Sequence, residues 1–155
     1  MLSCVHNLPQ PSCSSFALPR LDSILPLGQN LYAFYRRGKD EGESPSKLVN
    51  LSARVGSISD NNLGGWYSYR MSKAGLNMFT KTCSIEMKRH HVLCMSIHPG
   101  TTDTDLSKPF QKNIKPDKIL SVDESVLKML KVIDQTNDMN KSGSFFAFDG
   151  TEIEW

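Results

Sequence analysis

The chain has 155 residues, of which 39% are hydrophobic and 22% charged, and its formal net charge is +2. That length suits one domain with one core, and the balance is that of an ordinary globular protein. A charge so mild, with no Lys/Arg cluster longer than two residues, argues against nucleic-acid binding, and no apolar run is long enough to span a membrane.

Residues 1–45 read as an irregular leader and linker. Residues 1–21 contain no Asp or Glu and a single Arg, and Pro9, Pro11, Pro19 and Pro26 interrupt every short apolar run. The continuous apolar core of a secretory signal is missing. The cytoplasm is the expected compartment, with a plastid or mitochondrion as the alternative if this acid-poor start is a transit peptide. One short helix is expected over 26–37. The segment "RRGKDEGESPSK" that follows is a charged, Gly- and Pro-bearing linker.

From residue 46 the signals become regular. "KLVNLS" (47–52) is a short apolar strand, and Tyr67 to about Lys88 reads as one long helix with Leu76, Phe79, Cys83 and Met87 as its apolar stripe. "VLCMSI" (92–97) is a continuous apolar run of the type buried on both faces of a sheet. His98-Pro99-Gly100 ends it, and a loop with Pro109 and Pro116 follows. Ser121 and Glu124 have capping-box spacing and open a helix to about Gln135, with Val126, Leu127, Leu130 and Ile133 as its apolar side. "SFFAF" (144–148) is a last strand, closed by Asp149-Gly150. Strand, helix, strand, helix, strand predicts a three-stranded parallel sheet with helices on its faces. Cys83 and Cys94 fall inside apolar stretches and are expected to be buried, reduced thiols.

Tyr69 and Lys73 are four residues apart at the start of the first long helix, so they share a face. An ammonium beside a phenol favours the phenolate, which predicts a lowered tyrosine pKa and a group able to exchange protons with an alcohol or carbonyl oxygen. The helix begins just after a strand and loop, at the edge of a parallel sheet where ligands bind. The spacing alone is cheap. Tyr35 and Lys39 repeat it with Gly38 inside, no strand before and charged linker after.

The context is more specific. "LVNLS", "ARVGSISDNNLGG", "YRMSKAGLN" and "IHPGTTDT" follow one another at fitting distances. Over 46–155 this order resembles the short-chain dehydrogenase/reductase family, in particular its C-factor and sniffer-like carbonyl reductases. The "GGWYSYRMSK" helix start, "RVGSI" and the tail "SFFAFDGTEIEW" strengthen the likeness. The resemblance implies an α/β fold: a partial Rossmann-like, doubly wound parallel sheet lacking its N-terminal βαβ half. It implies hydride transfer between NADP(H) or NAD(H) and a small-molecule carbonyl or alcohol. Tyr69 would be the proton donor, and Lys73 would lower its pKa and bond the nicotinamide ribose. Pro99 and Gly100 would pass under the nicotinamide, Thr102 would meet its carboxamide and Thr104 would approach the phosphates. A homodimer packed through the long helix is implied as well.

Three departures from the family pattern stand out. Where its substrate-orienting serine belongs stands Ala53, which leaves Ser57 on the loop or Ser52 on the strand as substitutes. The usual asparagine of the preceding helix has Asp22 of "DSILP" in its place, with Asn30 nearby but not aligned to it. The glycine turn for the pyrophosphate is missing, since "GKDEGES" from Gly38 carries repelling acids and reads as linker. A chain without that turn is expected to hold NADPH too weakly for calorimetry to detect. The alternative function is therefore a non-catalytic remnant acting only through subunit association.

Overall fold

The computed structural model describes residues 44–155. The helix expected over 26–37, the Tyr35–Lys39 pair, Asp22, Asn30 and the glycines of the linker lie outside the described residues.

Strand β1 (Ser46–Leu51) runs parallel to β2 (Val92–His98), pairing Leu48 with Cys94 and Leu51 with Ile97. β2 runs parallel to β5 (Ser144–Ala147), pairing Met95 with Ser144 and His98 with Ala147. The three parallel strands are those expected. A fourth, β6 (Glu152–Ile153), was not anticipated and joins β5 antiparallel. Its cause is the turn after β5, where Gly150 takes φ 87 and its N–H bonds the Ala147 carbonyl at 3.0 Å. A left-handed residue at that point suits glycine and lets the chain reverse.

β2 is the centre of the molecule, and six consecutive residues from Val92 to Ile97 are buried. Because strand side chains alternate, Val92 and Cys94 face helix α1 (Tyr67–Glu86), packing with Cys83, Met87 and Phe79. Leu93, Met95 and Ile97 face the opposite side, where they meet Val132 of helix α2 (Val122–Gln135) and Phe146. Each such fully buried apolar side chain contributes roughly 1.5–3 kcal/mol. The expected α1 stripe holds at Phe79, Cys83 and Met87, while Leu76 is half-buried. Cys83 and Cys94 are free and buried, and burial pushes both thiols up, Cys94 to about 12. Neither is poised to react as a thiolate.

α2 opens with the expected capping box: Ser121 Oγ accepts from the Glu124 N–H, and Glu124 Oε2 accepts from the Ser121 N–H. At its other end Lys47 of β1 donates to the carbonyls of Ile133 and Asp134. A cation there suits the negative end of the helix dipole. The apolar side expected for α2 needs correction. Val126, Leu127 and Leu130 are 43%, 67% and 55% exposed. The inner line instead runs through Ser125, Met129, Val132 and Ile133. The reason is Ser125, a polar residue that anchors the buried face: its Oγ donates to the Pro99 carbonyl at 2.7 Å and accepts from Thr102 Oγ1 at 3.1 Å.

Between β2 and α2 the chain makes a short parallel pair, β3 (Thr101–Thr102) with β4 (Ile119–Leu120). This pair holds the segment after β2 against the start of α2.

Candidate active site

The carboxyl ends of β1 and β2 lie side by side, and the first turns of α1 stand over them. Tyr69 and Lys73 occupy those turns. Lys73 Nζ is 6.0 Å from the centre of the Tyr69 ring and donates to the Leu51 carbonyl at 2.9 Å, at the tip of β1. Gly56 makes this approach possible, because a Cβ there would come within 2.7 Å of the Lys73 backbone. Tyr69 remains 39% exposed, so a substrate can reach its phenol.

The direction of the tyrosine shift differs from the expectation. Burial raises the Tyr69 pKa above its ordinary value, and burial lowers that of Lys73. The ammonium is spent on a carbonyl and stands off the ring, so its attraction for a phenolate is outweighed by the desolvation of the phenol. Tyr69 is therefore a protonated phenol near neutrality.

Each candidate serine donates its hydroxyl proton within the fold. Ser52 Oγ donates to Asn77 Oδ1 of α1 at 2.6 Å. Ser57 Oγ donates to the Glu154 carbonyl and accepts from the Asp60 N–H at 3.0 Å. The adjacent Ser59 holds the Trp155 main-chain oxygen through both its N–H and its hydroxyl. Trp155 in turn stacks on Phe145, with ring centres 5.6 Å apart. The two serines are thus structural ties, one to α1 and one to the C-terminal tail. Ala53 begins the tight turn 54–56, its carbonyl accepting from the Gly56 N–H at 2.8 Å.

Pro99, Gly100, Thr102 and Thr104 form a second group at the end of β2, joined to α2 through Ser125. Gly100 has φ 77, and a Cβ on it would strike Phe148 at 2.8 Å and Leu120 at 3.0 Å. Only glycine suits that position on both counts. The Thr102 carbonyl accepts the Ser107 hydroxyl at 2.6 Å, and the Thr104 N–H donates to the same Ser107 Oγ at 3.1 Å. The Leu51–Ile97 pairing sets this group beside the Tyr69–Lys73 group at one sheet edge.

Three features escaped the sequence reading. His98 is largely buried beside the turn 54–56, and its Nδ1 has no hydrogen-bond partner among the described residues. Burial and the nearby Arg54 lower its pKa to about 4, against the opposing pull of Asp149 and Asp60. Asn77 Nδ2 is likewise buried without a partner among the described residues. At the entry to α1, Gly64, Gly65 and Trp66 take φ 65, 70 and 52 in succession. A left-handed tryptophan costs roughly 1–2 kcal/mol and needs an external hold. The Gly64-Gly65 pair marks the last of these as a turn, whereas no composition or spacing marks His98 or Asn77, whose surroundings come from partners far along the chain.

The geometry sets a Tyr–Lys pair at the carboxyl edge of a parallel α/β sheet, and comparison with known proteins agrees with the sheet. The short chain dehydrogenase profile matches residues 41–115. The chain is 38% identical over 109 residues to C-signal of Myxococcus xanthus, covering 70% of this chain and 61% of that protein. It is 34% identical over 110 residues to 1-hydroxy-2-glutathionyl-2-methyl-3-butene dehydrogenase of Rhodococcus sp. (strain AD45), covering 71% of this chain and 47% of the relative. Among solved structures, the NADPH-bound carbonyl reductase from chicken fatty liver superposes with a TM-score of 0.72 at 32% identity, covering 87% of this chain and 54% of that one. The carbonyl reductase Sniffer of D. melanogaster gives 0.65 at 29%, covering 86% and 50%. The chain belongs to the short-chain dehydrogenase family of oxidoreductases. It spans between 47% and 61% of the length of these two curated relatives. Among the described residues no helix is long and apolar enough to cross a membrane.

Proposed function

We propose that the described unit is the catalytic half of a carbonyl reductase or alcohol dehydrogenase that uses NADP(H) or NAD(H), with Tyr69 as its acid/base. The observation that carries this reading is the pair itself: Tyr69 and Lys73 stand one helical turn apart at the carboxyl edge, and Lys73 reaches the tip of β1. A lysine ammonium has three donors, and one goes to Leu51, which leaves two for the hydroxyls of a nicotinamide ribose. The Pro99–Thr104 segment lies at the same edge. Among the described residues this fit covers the nicotinamide end of a dinucleotide. The solved relative with NADPH bound supports the same cofactor class.

When bound, the nicotinamide supplies the hydride, which no side chain can. Tyr69 would give its phenolic proton to the carbonyl oxygen of the substrate, becoming a phenolate while the substrate becomes an alcohol. The raised phenol suits this direction, because it keeps the proton at neutral pH. With Ser52 and Ser57 committed elsewhere, the phenol alone among the candidate residues meets the substrate oxygen.

Association through α1 is also supported. Met71, Met78 and Ile85 recur every seven residues and are 55%, 67% and 69% exposed. Gly75, between them, has open space around it. An apolar stripe on one helix suits a second helix.

The cofactor reading is tested by joining the chain to a dinucleotide-binding half that carries a glycine turn. Lys73→Met in that protein should weaken NADPH binding about tenfold or more by calorimetry, since it removes charge-assisted hydrogen bonds. Unchanged affinity would show that Lys73 does not hold the ribose.

A further inference from the structure

Arg70 follows the catalytic tyrosine, and its side chain turns back on the entry to α1. Nε donates to the Gly65 carbonyl at 3.0 Å, Nη2 to the Gly64 carbonyl at 3.1 Å and Nη1 to the Val55 carbonyl at 3.1 Å. Among the described residues its hydrogen-bond partners are these carbonyls, and none is a carboxylate. The placement is otherwise unfavourable, because a cation in the first turn opposes the helix dipole. The N-cap is Trp66 in a left-handed conformation, and its side chain makes no capping hydrogen bond. The flat, rigid fork of a guanidinium can meet three carbonyls from two segments at once, which a lysine ammonium on a flexible stem cannot do in a fixed plane.

The two segments are those that flank the reactive pair. Gly64 and Gly65 lead directly into Tyr67 and Tyr69. Val55 lies in the turn 54–56, whose Gly56 rests on the Lys73 backbone. We propose that Arg70 is a positioning residue that staples the turn 64–66 to the turn 54–56 and so sets where the Tyr69 phenol and Lys73 stand over the tip of β1. This rests on the reading of Tyr69 and Lys73 as the reacting pair. It accounts for a strained tryptophan at the helix start and for an arginine that forms no ion pair among the described residues.

The test uses the 155-residue chain itself, with Arg70→Lys and Arg70→Ala. Amide hydrogen exchange is followed at Gly56, Ser57 and Gly64, whose N–H groups are bonded within the two turns. The Tyr69 titration is followed by NMR on ring-labelled tyrosine, assigned with Tyr69→Phe. Both variants should exchange at least tenfold faster at those amides, keep the protection of β2 and β5, and titrate Tyr69 at lower pH as the phenol becomes exposed. Unchanged exchange in Arg70→Lys would overturn the proposal. So would loss of protection spread evenly over β2 and β5, or a Tyr69 titration that stays put while the turns are released. These readouts do not depend on turnover, so failure of the proposed reaction would leave them interpretable.

Discussion

Replacing Tyr69 by Phe is expected to reduce carbonyl reduction about 10²–10⁴-fold while leaving NADPH affinity nearly unchanged. The protein to use is the chain joined to a complementary dinucleotide-binding half. Phenylalanine keeps the ring, and with it the packing at the start of α1, but removes the proton that the proposed reaction gives to the substrate oxygen. Neighbouring hydroxyls cannot take over, because Ser52 is bonded to Asn77 and Ser57 to the tail. In the proposed reaction the ribose is held by Lys73, which the substitution does not touch. Since burial raises the phenol, the unsubstituted protein should keep its reductive activity up to a higher pH than a free tyrosine would allow. Steady-state rates, with calorimetry for the cofactor, measure both effects. Turnover retained in Tyr69→Phe would remove Tyr69 from the acid's role.

The second large effect concerns stability. Between pH 7 and pH 4 the fold should lose about 3 kcal/mol through His98 alone. Its pKa falls from 6.5 to about 4 on folding. In that window the unfolded chain binds the proton and the folded chain does not, so stability falls as pH falls. The contribution is complete above 6.5 and gone below about 4. The causes are burial first and then Arg54, with Asp149 and Asp60 pulling the other way. For a domain of ordinary stability this is a large fraction of the total. Denaturant unfolding of the parent and of His98→Asn across this range measures it. Carboxylates such as Asp149 and Glu152 titrate in both proteins, so the difference between the two curves isolates the histidine. Parallel curves would show that His98 protonates in place at no cost.

The parallel core was legible because its signals are local. An unbroken apolar run marks β2, the Ser121–Glu124 spacing marks the start of α2, and the Tyr69–Lys73 spacing places two side chains on one face. What stayed hidden depends on distant partners. The inner face of α2 is anchored by a serine, which apolar counting discards in favour of Val126, Leu127 and Leu130. Ser57 looks free on a loop until the tail returns 97 residues later to take its hydroxyl. β6 owes its place to a two-residue return after Gly150, too short for any periodicity. The sign of the Tyr69 shift turned on how far burial desolvates the phenol, which spacing does not decide.

The central claim is that Tyr69 and Lys73 form the centre of a hydride transfer to a carbonyl. The most direct measurement is the fate of deuterium from NADPH deuterated at C4, given to the joined protein with a panel of aldehydes and ketones. The account predicts an alcohol carrying deuterium on the former carbonyl carbon and a solvent proton on its oxygen, formed by the Tyr69 protein and lost in Tyr69→Phe. Cofactor bound tightly with no deuterium in any alcohol, or labelled alcohol formed equally by both proteins, would contradict it.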